Sequence, residues 1–327
     1  MAQSLKLTPY RAWIYKAPGL IPFRSSPPIK SLELELTNIR IHHMSGERTN
    51  TLFIPPAVAS GLSHIVIALP AHRRCPDYVT NFLAQCANLE SLTIAYARTG
   101  NRGDHDPSQH IPTTTFLKLH TLALWGLQPQ ILPTALHSLR TPALTHLTIR
   151  TGGYPSLKDL YSPAPRVIMD SIQSLGVLSP ATSLLQSLTL WAEEDVIVRM
   201  GSEELSTILN SLPSLKHLSL NAIHFDAEEF LGASRSSPAF APALEHLDLQ
   251  RLDSEFQLQH ILQFLKDRAV GTRRWTWVRV SEVGGFYQAD ALSWSPRRRI
   301  GRSIYYFPAS PRASCTTRRG DIQNLLL

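Results

Sequence analysis

The fold is decided by three copies of one pattern, which read PSLKHLSL at 213–220, PALEHLDL at 242–249 and PALTHLTI at 142–149. Each copy contains Leu-x-x-Leu-x-Leu, in which Ile also fills a Leu position. Clean copies follow one another at 25 to 30 residues, with one interval of 41. They begin at Leu62, Leu89, Leu119, Leu144, Leu185, Leu215 and Leu244, and weaker copies begin at Ile29 and Trp275. Because the end of the pattern alternates, it predicts a short strand with one buried face, and its repetition indicates a repeat architecture.

The intervals between copies have the spacing of amphipathic helices. Residues 76–86, 202–212 and 254–268 place apolar side chains three and four positions apart, and Cys86 is expected in the core. Ser202 is expected to be the N-cap of the second helix. Each repeat is therefore predicted to run strand, turn, helix and return. One such unit cannot bury its apolar face alone, so the units must stack.

The PxLxxLxL form of these copies resembles the irregular leucine-rich repeats of fungal F-box/leucine-rich-repeat-like proteins. The resemblance implies an α/β solenoid, or horseshoe, with helix-containing repeats and parallel strands on its concave face. Residues 1–28 contain no recognisable F-box. We predict an N-terminal extension or cap at 1–28, the solenoid at 29–270, a C-terminal cap at 271–307 and a basic, disordered tail at 308–327. Alternation at 275–283 and 303–307 predicts two strands in the C-terminal cap.

Charge is concentrated at one end of the 327-residue chain. The formal net charge is +7, and residues 268–327 hold eleven Arg, no Lys and three acidic residues, so the remaining chain is nearly neutral. The first thirty residues lack the apolar centre of a signal peptide, and no apolar run is long enough to span a membrane. Three cysteines are too few for a disulfide framework. We therefore expect an intracellular protein without a membrane partner, in the cytoplasm, the nucleus or both.

A candidate binding surface follows from the strand alternation. Side chains between and just after the Leu positions are expected to point outward in columns that run across the strands. The predicted partner-binding residues are Tyr96, Trp125, His146, Arg150, Trp191, His217, His246 and Arg251. Exposed Trp, Tyr and Arg are the residue types that anchor protein interfaces. The alternative is that Trp125 and Trp191 begin loops and tuck into the edge of their repeats.

Chemistry beyond binding is not indicated by the sequence. No phosphate-binding loop, nucleophile elbow or zinc-protease motif occurs, so we expect neither an enzyme nor a cofactor. His217 and His246 fall on neighbouring predicted strands, but no further ligands accompany them, so no metal site is expected.

The sequence therefore predicts a non-catalytic scaffold that binds a protein partner on the concave face. By resemblance, this scaffold would recognise substrates for an SCF-type ubiquitin ligase, with a cullin adaptor bound through a missing or divergent F-box. The alternative is a nucleic-acid-associated or nuclear protein that acts through its C-terminal region. There, aromatic residues are interleaved with a basic patch of Arg297, Arg298, Arg299 and Arg302. A nucleic-acid partner is the less favoured of the two.

Overall fold

The elements of the fold are given by a computed structural model. It describes residues 3–7, 29–35, 54–70, 77–97, 113–127, 132–151, 166–168, 170–172, 184–192, 198–237, 240–252, 256–272, 277–281, 299–300 and 303–306. The strands are β1 (Gln3–Leu7), β2 (Ile29–Glu35), β3 (His64–Pro70), β4 (Ser91–Ala97), β5 (Thr114–Thr115), β6 (Thr121–Leu127), β7 (Leu139–Arg140), β8 (His146–Thr151), β9 (Ser187–Ala192), β10 (Val198–Arg199), β11 (His217–Asn221), β12 (Ile223–His224), β13 (His246–Gln250), β14 (Trp277–Ser281), β15 (Arg299–Ile300) and β16 (Ser303–Tyr306). The helices are α1 (Pro56–Ala59), α2 (Asp77–Ala84), α3 (Leu132–Ser138), α4 (Ser202–Ser211), α5 (Ala227–Ser236) and α6 (Leu258–Thr272).

One large open sheet organises these elements. Its strand order is β1-β2-β3-β4-β6-β8-β9-β11-β13-β14-β16-β15. Every pairing from β1 through β14 is parallel, and the two pairings beyond β14 are antiparallel. The chain is thus a mixed α/β protein with a large parallel sheet that does not close into a barrel. The prediction of an α/β fold with parallel strands is confirmed at this level.

The core lies on one face of this sheet. The Leu and Ile side chains of each repeated pattern are buried there, as Leu92, Ile94 and Leu218 illustrate. Helix side chains such as Leu205 and Phe230 belong to the same hydrophobic cluster. Full burial of one such side chain stabilises the fold by about 1.5–3 kcal/mol. The spacing of the pattern therefore determines which sheet face is covered, because a one-residue shift would expose every Leu.

The predicted helices agree closely with the observed ones. α2 lies within 76–86, α4 within 202–212, and α6 extends four residues beyond the predicted 254–268. Cys86 is buried, as expected, and burial raises the pKa of its thiol to about 12. The strands predicted at 275–283 and 303–307 are confirmed as β14 and β16.

The N-cap predicted for α4 is wrong. Gly201 is the N-cap residue, and the Glu204 carboxylate accepts a hydrogen bond from its backbone N–H. Ser202 is the first residue of the helix, and its Oγ donates to the carbonyl oxygen of Asp226 at 3.1 Å. The reason is that Ser202 is buried against the start of the next repeat, so its hydroxyl bonds between repeats.

The last helix is anchored by a buried arginine. The guanidinium of Arg268 donates to the carbonyl oxygens of Phe240, Ala241, Pro242 and Leu244 at 2.6–3.2 Å. These carbonyls belong to a turn in which Ala241 has a positive φ of 44°. Arg268 therefore joins α6 to this turn, in which the Ala241 carbonyl oxygen also accepts a hydrogen bond from the backbone N–H of Leu244 at 3.1 Å.

None of the helices among the described residues is both long and apolar enough to cross a membrane.

Candidate functional site

The face of the sheet opposite the core, here called the polar face, carries three columns of side chains. Strand pairing aligns the columns residue by residue. The first contains His64, Ser91, Thr121, His146, Ser187, His217 and His246; the second contains Val66, Thr93, Ala123, Thr148, Thr189, Ser219 and Asp248; the third contains Ala68, Ala95, Trp125, Arg150, Trp191, Asn221 and Gln250. These alignments are the ones the sequence predicts, because the Leu pattern fixes the register.

Three neighbouring members of the third column form what we call the central patch: Trp125, Arg150 and Trp191. They lie on β6, β8 and β9, directly opposite one another in register. The guanidinium carbon of Arg150 lies over the Trp191 ring, 4.5 Å from the ring centroid. This stacking holds the flat guanidinium in one orientation and contributes about 0.5–2 kcal/mol, depending on its exposure.

The two tryptophans differ in exposure. Trp125 keeps 40% of its surface exposed, which makes it one of the large apolar side chains that remain accessible. Trp191 is partly buried, and its indole Nε1 is enclosed without a hydrogen-bond acceptor among the described residues. An enclosed donor without an acceptor costs about 1–3 kcal/mol. A Trp at this position is therefore a poor choice for stability alone.

Tyr96 does not belong to the exposed surface, so that part of the prediction is wrong. It is only 8% exposed and lies in the hydrophobic core. The reason is strand parity, because Leu92, Ile94 and Tyr96 are two residues apart and point to the same face. Thr151 on β8 and Ala192 on β9 have the same parity as the buried Leu and Ile residues of their strands, and they are buried for the same reason.

Gly126 marks a β-bulge at the edge of the central patch. The register between β6 and β8 shifts at this residue, so that Trp125 pairs with Arg150 while Leu127 pairs with Thr151. Gly126 has a φ of 69°, and a Cβ built on it would collide with the carbonyl oxygen of Tyr96. Glycine is therefore required here, both for its conformation and for the close backbone approach.

Arg251 lies at the edge of the polar face, where it takes part in a hydrogen-bonded chain rather than pointing away from the protein. Its Nε donates to Asn221 Oδ1 at 2.7 Å, and its Nη2 donates to the carbonyl oxygen of Ala192. Asn221 Nδ2 donates to Gln250 Oε1 at 2.7 Å, and Gln250 Nε2 donates to Asp248 Oδ2 at 2.8 Å.

This series of side-chain contacts ends at Arg279, whose Nη1 lies 3.9 Å from Asp248 Oδ2. We call Arg251, Asn221, Gln250, Asp248 and Arg279 the C-terminal network. Burial raises the pKa of Asp248, and the Gln250 hydrogen bond and the Arg279 charge oppose that rise. Four of these residues were outside the predicted site. The positions of Asn221, Gln250 and Asp248 on the polar face could be predicted, because these residues fall in the columns. Their hydrogen bonds could not, because a bond between side chains of different repeats leaves no local sequence pattern.

The predicted histidines lie in the first column. The rings of His217 and His246 are stacked, with centroids 3.9 Å apart and planes inclined by 11°. His146 is exposed, and its Nδ1 is hydrogen bonded to Thr145 Oγ1 at 2.8 Å. Ser187 separates His146 from His217 in the column. Among the described residues, no group of three or more His, Cys, Asp or Glu could hold a metal ion.

Burial is the main influence on the stacked pair. Burial, and after it the neighbouring His217, lower the pKa of His246 to about 4, while Glu245 opposes the change. Burial also lowers the pKa of His217, where Glu245 opposes the change and His146 and Lys216 add to it. Both rings are therefore neutral at pH 7, and two neutral imidazoles stack without mutual repulsion.

The predicted basic patch falls mostly outside the described residues. Arg297, Arg298 and Arg302 lie there, and Arg299 is the first residue of β15.

Comparison of the chain with protein-family models and with curated proteins gives no match in either case.

Proposed function

We propose that the chain is a leucine-rich-repeat solenoid whose polar face binds a partner protein. Two observations support the architecture: each clean copy of the pattern supplies one parallel strand of the large sheet, and consecutive copies supply neighbouring strands. A chain that advances by one strand per repeat in this way stacks each repeat on its two neighbours. The polar face then becomes the concave surface that such proteins use for binding.

The observation that carries the binding function is the central patch. Trp and Arg are the residues that most often dominate the energetics of protein interfaces. Here an exposed Trp125 lies beside Arg150, which is already held over Trp191. Such preorganisation lowers the entropy that a side chain loses on binding. The role we propose is non-catalytic.

A matched pair of variants tests this proposal. One replaces Trp125, Arg150 and Trp191 with Ala; the control replaces Leu117 and Leu184, which are 70% and 47% exposed outside the three columns, with Ala. Both are used with a chemical cross-linker in lysate of the organism that encodes the protein, and cross-linked proteins are identified by mass spectrometry. We expect the central-patch variant to lose the partner and the control to retain it, with unchanged circular dichroism for both. Retention by the central-patch variant would refute the assignment.

We also propose, from the resemblance alone, that the partner is presented to a ubiquitin ligase. This role requires contact with a cullin adaptor. The same cross-linking experiment tests it, because the adaptor should appear among the captured proteins and should persist when the central patch is replaced. An adaptor that is never captured by the full chain would count against this role and leave the binding function intact.

A further inference from the structure

Two histidines of the first column directly follow a hydroxyl residue. His64 follows Ser63 and His146 follows Thr145, and in each pair the hydroxyl oxygen lies 2.8 Å from Nδ1 of the ring. Both rings are exposed, and they lie at the first residues of β3 and β8. Either the hydroxyl group or Nδ1 donates the proton of this hydrogen bond. The donor determines which nitrogen of the ring keeps a proton for other contacts.

The donor can be identified from the second acceptor near each hydroxyl group. Thr145 Oγ1 lies 3.1 Å from the carbonyl oxygen of His120, which already accepts the backbone N–H groups of Thr145 and His146 at 2.9 and 2.8 Å. A carbonyl oxygen has two lone pairs, and here both are in use. Ser63 Oγ lies 3.3 Å from the carbonyl oxygen of Lys30. Hydroxyl donors prefer about 2.5–3.0 Å, so Nδ1 is the better acceptor in both pairs.

Both hydroxyl groups therefore donate to Nδ1, and Nδ1 itself carries no proton. A neutral imidazole in this arrangement has its proton on Nε2 and is a hydrogen-bond donor there. Among the described residues, neither Nε2 of His64 nor Nε2 of His146 has a hydrogen-bond partner. The two rings are thus oriented by the protein at Nδ1 and offer an N–H group at Nε2.

The other histidines of the first column lack this arrangement. His217 and His246 follow Lys216 and Glu245 instead of a hydroxyl residue, and their rings stack on each other. A Ser or Thr directly before a column histidine is therefore the sequence signal for an oriented ring.

The two oriented rings are separated by a short hydroxyl row. β3 and β8 are three strand steps apart in the sheet, which corresponds to about 14 Å. Between them the first column contains only Ser91 and Thr121. This part of the column therefore contains no charged residue, and its N–H and O–H groups suit uncharged acceptors.

We propose that His64 and His146 bind carbonyl oxygens of the partner protein through Nε2–H, and that Ser63 and Thr145 are positioning residues that keep the proton on Nε2. Ser91 and Thr121 can donate to further carbonyl oxygens between them. The inference adds His64, and with it β3, to the binding surface. It rests on the proposed function and specifies the groups of the partner that are recognised.

Nuclear magnetic resonance of the full chain tests the position of the proton. Two-bond ¹H–¹⁵N correlation spectra of histidine-labelled protein at about pH 8.5, where imidazoles are neutral, distinguish the two ring nitrogens. His64→Gln and His146→Gln assign the signals. We expect Nε2–H for both rings, and a mixture with Nδ1–H when Ser63→Ala or Thr145→Val removes the hydroxyl group. A proton on Nδ1 in the wild type would overturn the inference and leave the proposed function standing.

The cross-linking experiment tests the role of the two donors, at increasing concentrations of the chain. Replacing His64 and His146 with Phe keeps two rings without donors, and replacing both with Gln keeps an N–H donor at each position. For half-maximal capture of the partner, the Phe variant should need at least about fivefold more chain than the wild type, and the Gln variant less than about twofold more. Circular dichroism should be unchanged for both.

Two results would overturn the inference but leave the proposed function standing. One is equal capture by the wild type and the Phe variant. The other is an equal loss in the Phe and Gln variants, which would mean that the donor is not what the partner recognises. If the wild type captures no partner, the proposed function fails and this inference fails with it.

Discussion

The central patch and two members of the C-terminal network, Asn221 and Gln250, occupy the same column of the same sheet, but their side chains make different contacts. Trp125, Arg150 and Trp191 are followed across the strands by Asn221 and Gln250. In the network, hydrogen bonds join Arg251, Asn221, Gln250 and Asp248, and an ion pair joins Asp248 to Arg279. In the central patch, an exposed indole lies beside a stacked Arg. The column thus stabilises the sheet at one end and presents a surface in the middle.

The strand ends extend this comparison. Gly126, Ala222 and Arg251 each follow a residue of the third column, and all three have a φ between 52° and 69°. Ala222 and Arg251 show that side chains are tolerated in this conformation within the network, whereas Gly126 forms a bulge tight against Tyr96. A residue with a side chain is therefore accepted in this conformation beside the network, whereas the position beside the central patch requires glycine.

Of the substitutions considered, Gly126→Ala at the edge of the central patch should cause the largest loss of stability. The new Cβ would meet the Tyr96 carbonyl oxygen in a left-handed conformation, so we expect a loss of about 3 kcal/mol in the free energy of unfolding. Urea denaturation measures it. The matched control is Ala222→Gly, which relieves the strain of a positive φ but adds chain entropy and should change stability by less than about 1 kcal/mol. Equal effects at the two positions would show that the strand ends are equivalent.

The two regions also differ in how far the sequence predicts them. The Leu pattern alternates with the two-residue period of a strand, which assigns each residue to one face of the sheet. The three columns and the buried Leu side chains can therefore be predicted from it. Tyr96 was assigned to the wrong face because the residues just after the last Leu or Ile of each pattern were all expected to point outward, although the parity of Tyr96 places it in the core. The bonds of Asn221 and Arg251 join repeats about 30 residues apart, and only the stacking of the repeats brings such residues together.

Asn221→Ala should disrupt the C-terminal network and cause the next largest loss of stability. It removes the acceptor of Arg251 Nε and the donor to Gln250 Oε1, so we expect a loss of about 2 kcal/mol in the free energy of unfolding. Ser219→Ala, on the same strand and the same face, is the control and should change stability by less than about 0.5 kcal/mol. Thermal denaturation followed by circular dichroism distinguishes them. A similar loss in both variants would mean that the network contributes no more than any other polar-face position.

The smallest effect concerns pH and the stacked histidines beside the network. The pKa of His246 is about 4 in the folded protein and about 6.5 when unfolded. Between these values the unfolded chain binds the additional proton, so this contribution to stability is present above pH 6.5 and is lost as the pH falls towards 4. Partial exposure and screening keep the loss small. His246→Phe preserves a ring against His217 and removes the titrating group.

The urea midpoint of the wild type should therefore fall more steeply between pH 7 and pH 5 than that of His246→Phe. His217, Lys216 and Glu245 remain in the variant, so the difference between the two slopes isolates His246. The raised pKa of Asp248 acts in the opposite direction, because protonation of this carboxyl is favoured in the folded state. Both slopes are therefore measured also in an Asp248→Asn background. Parallel slopes in both backgrounds would show that His246 titrates alike in the folded and unfolded chain, and would contradict the lowered pKa.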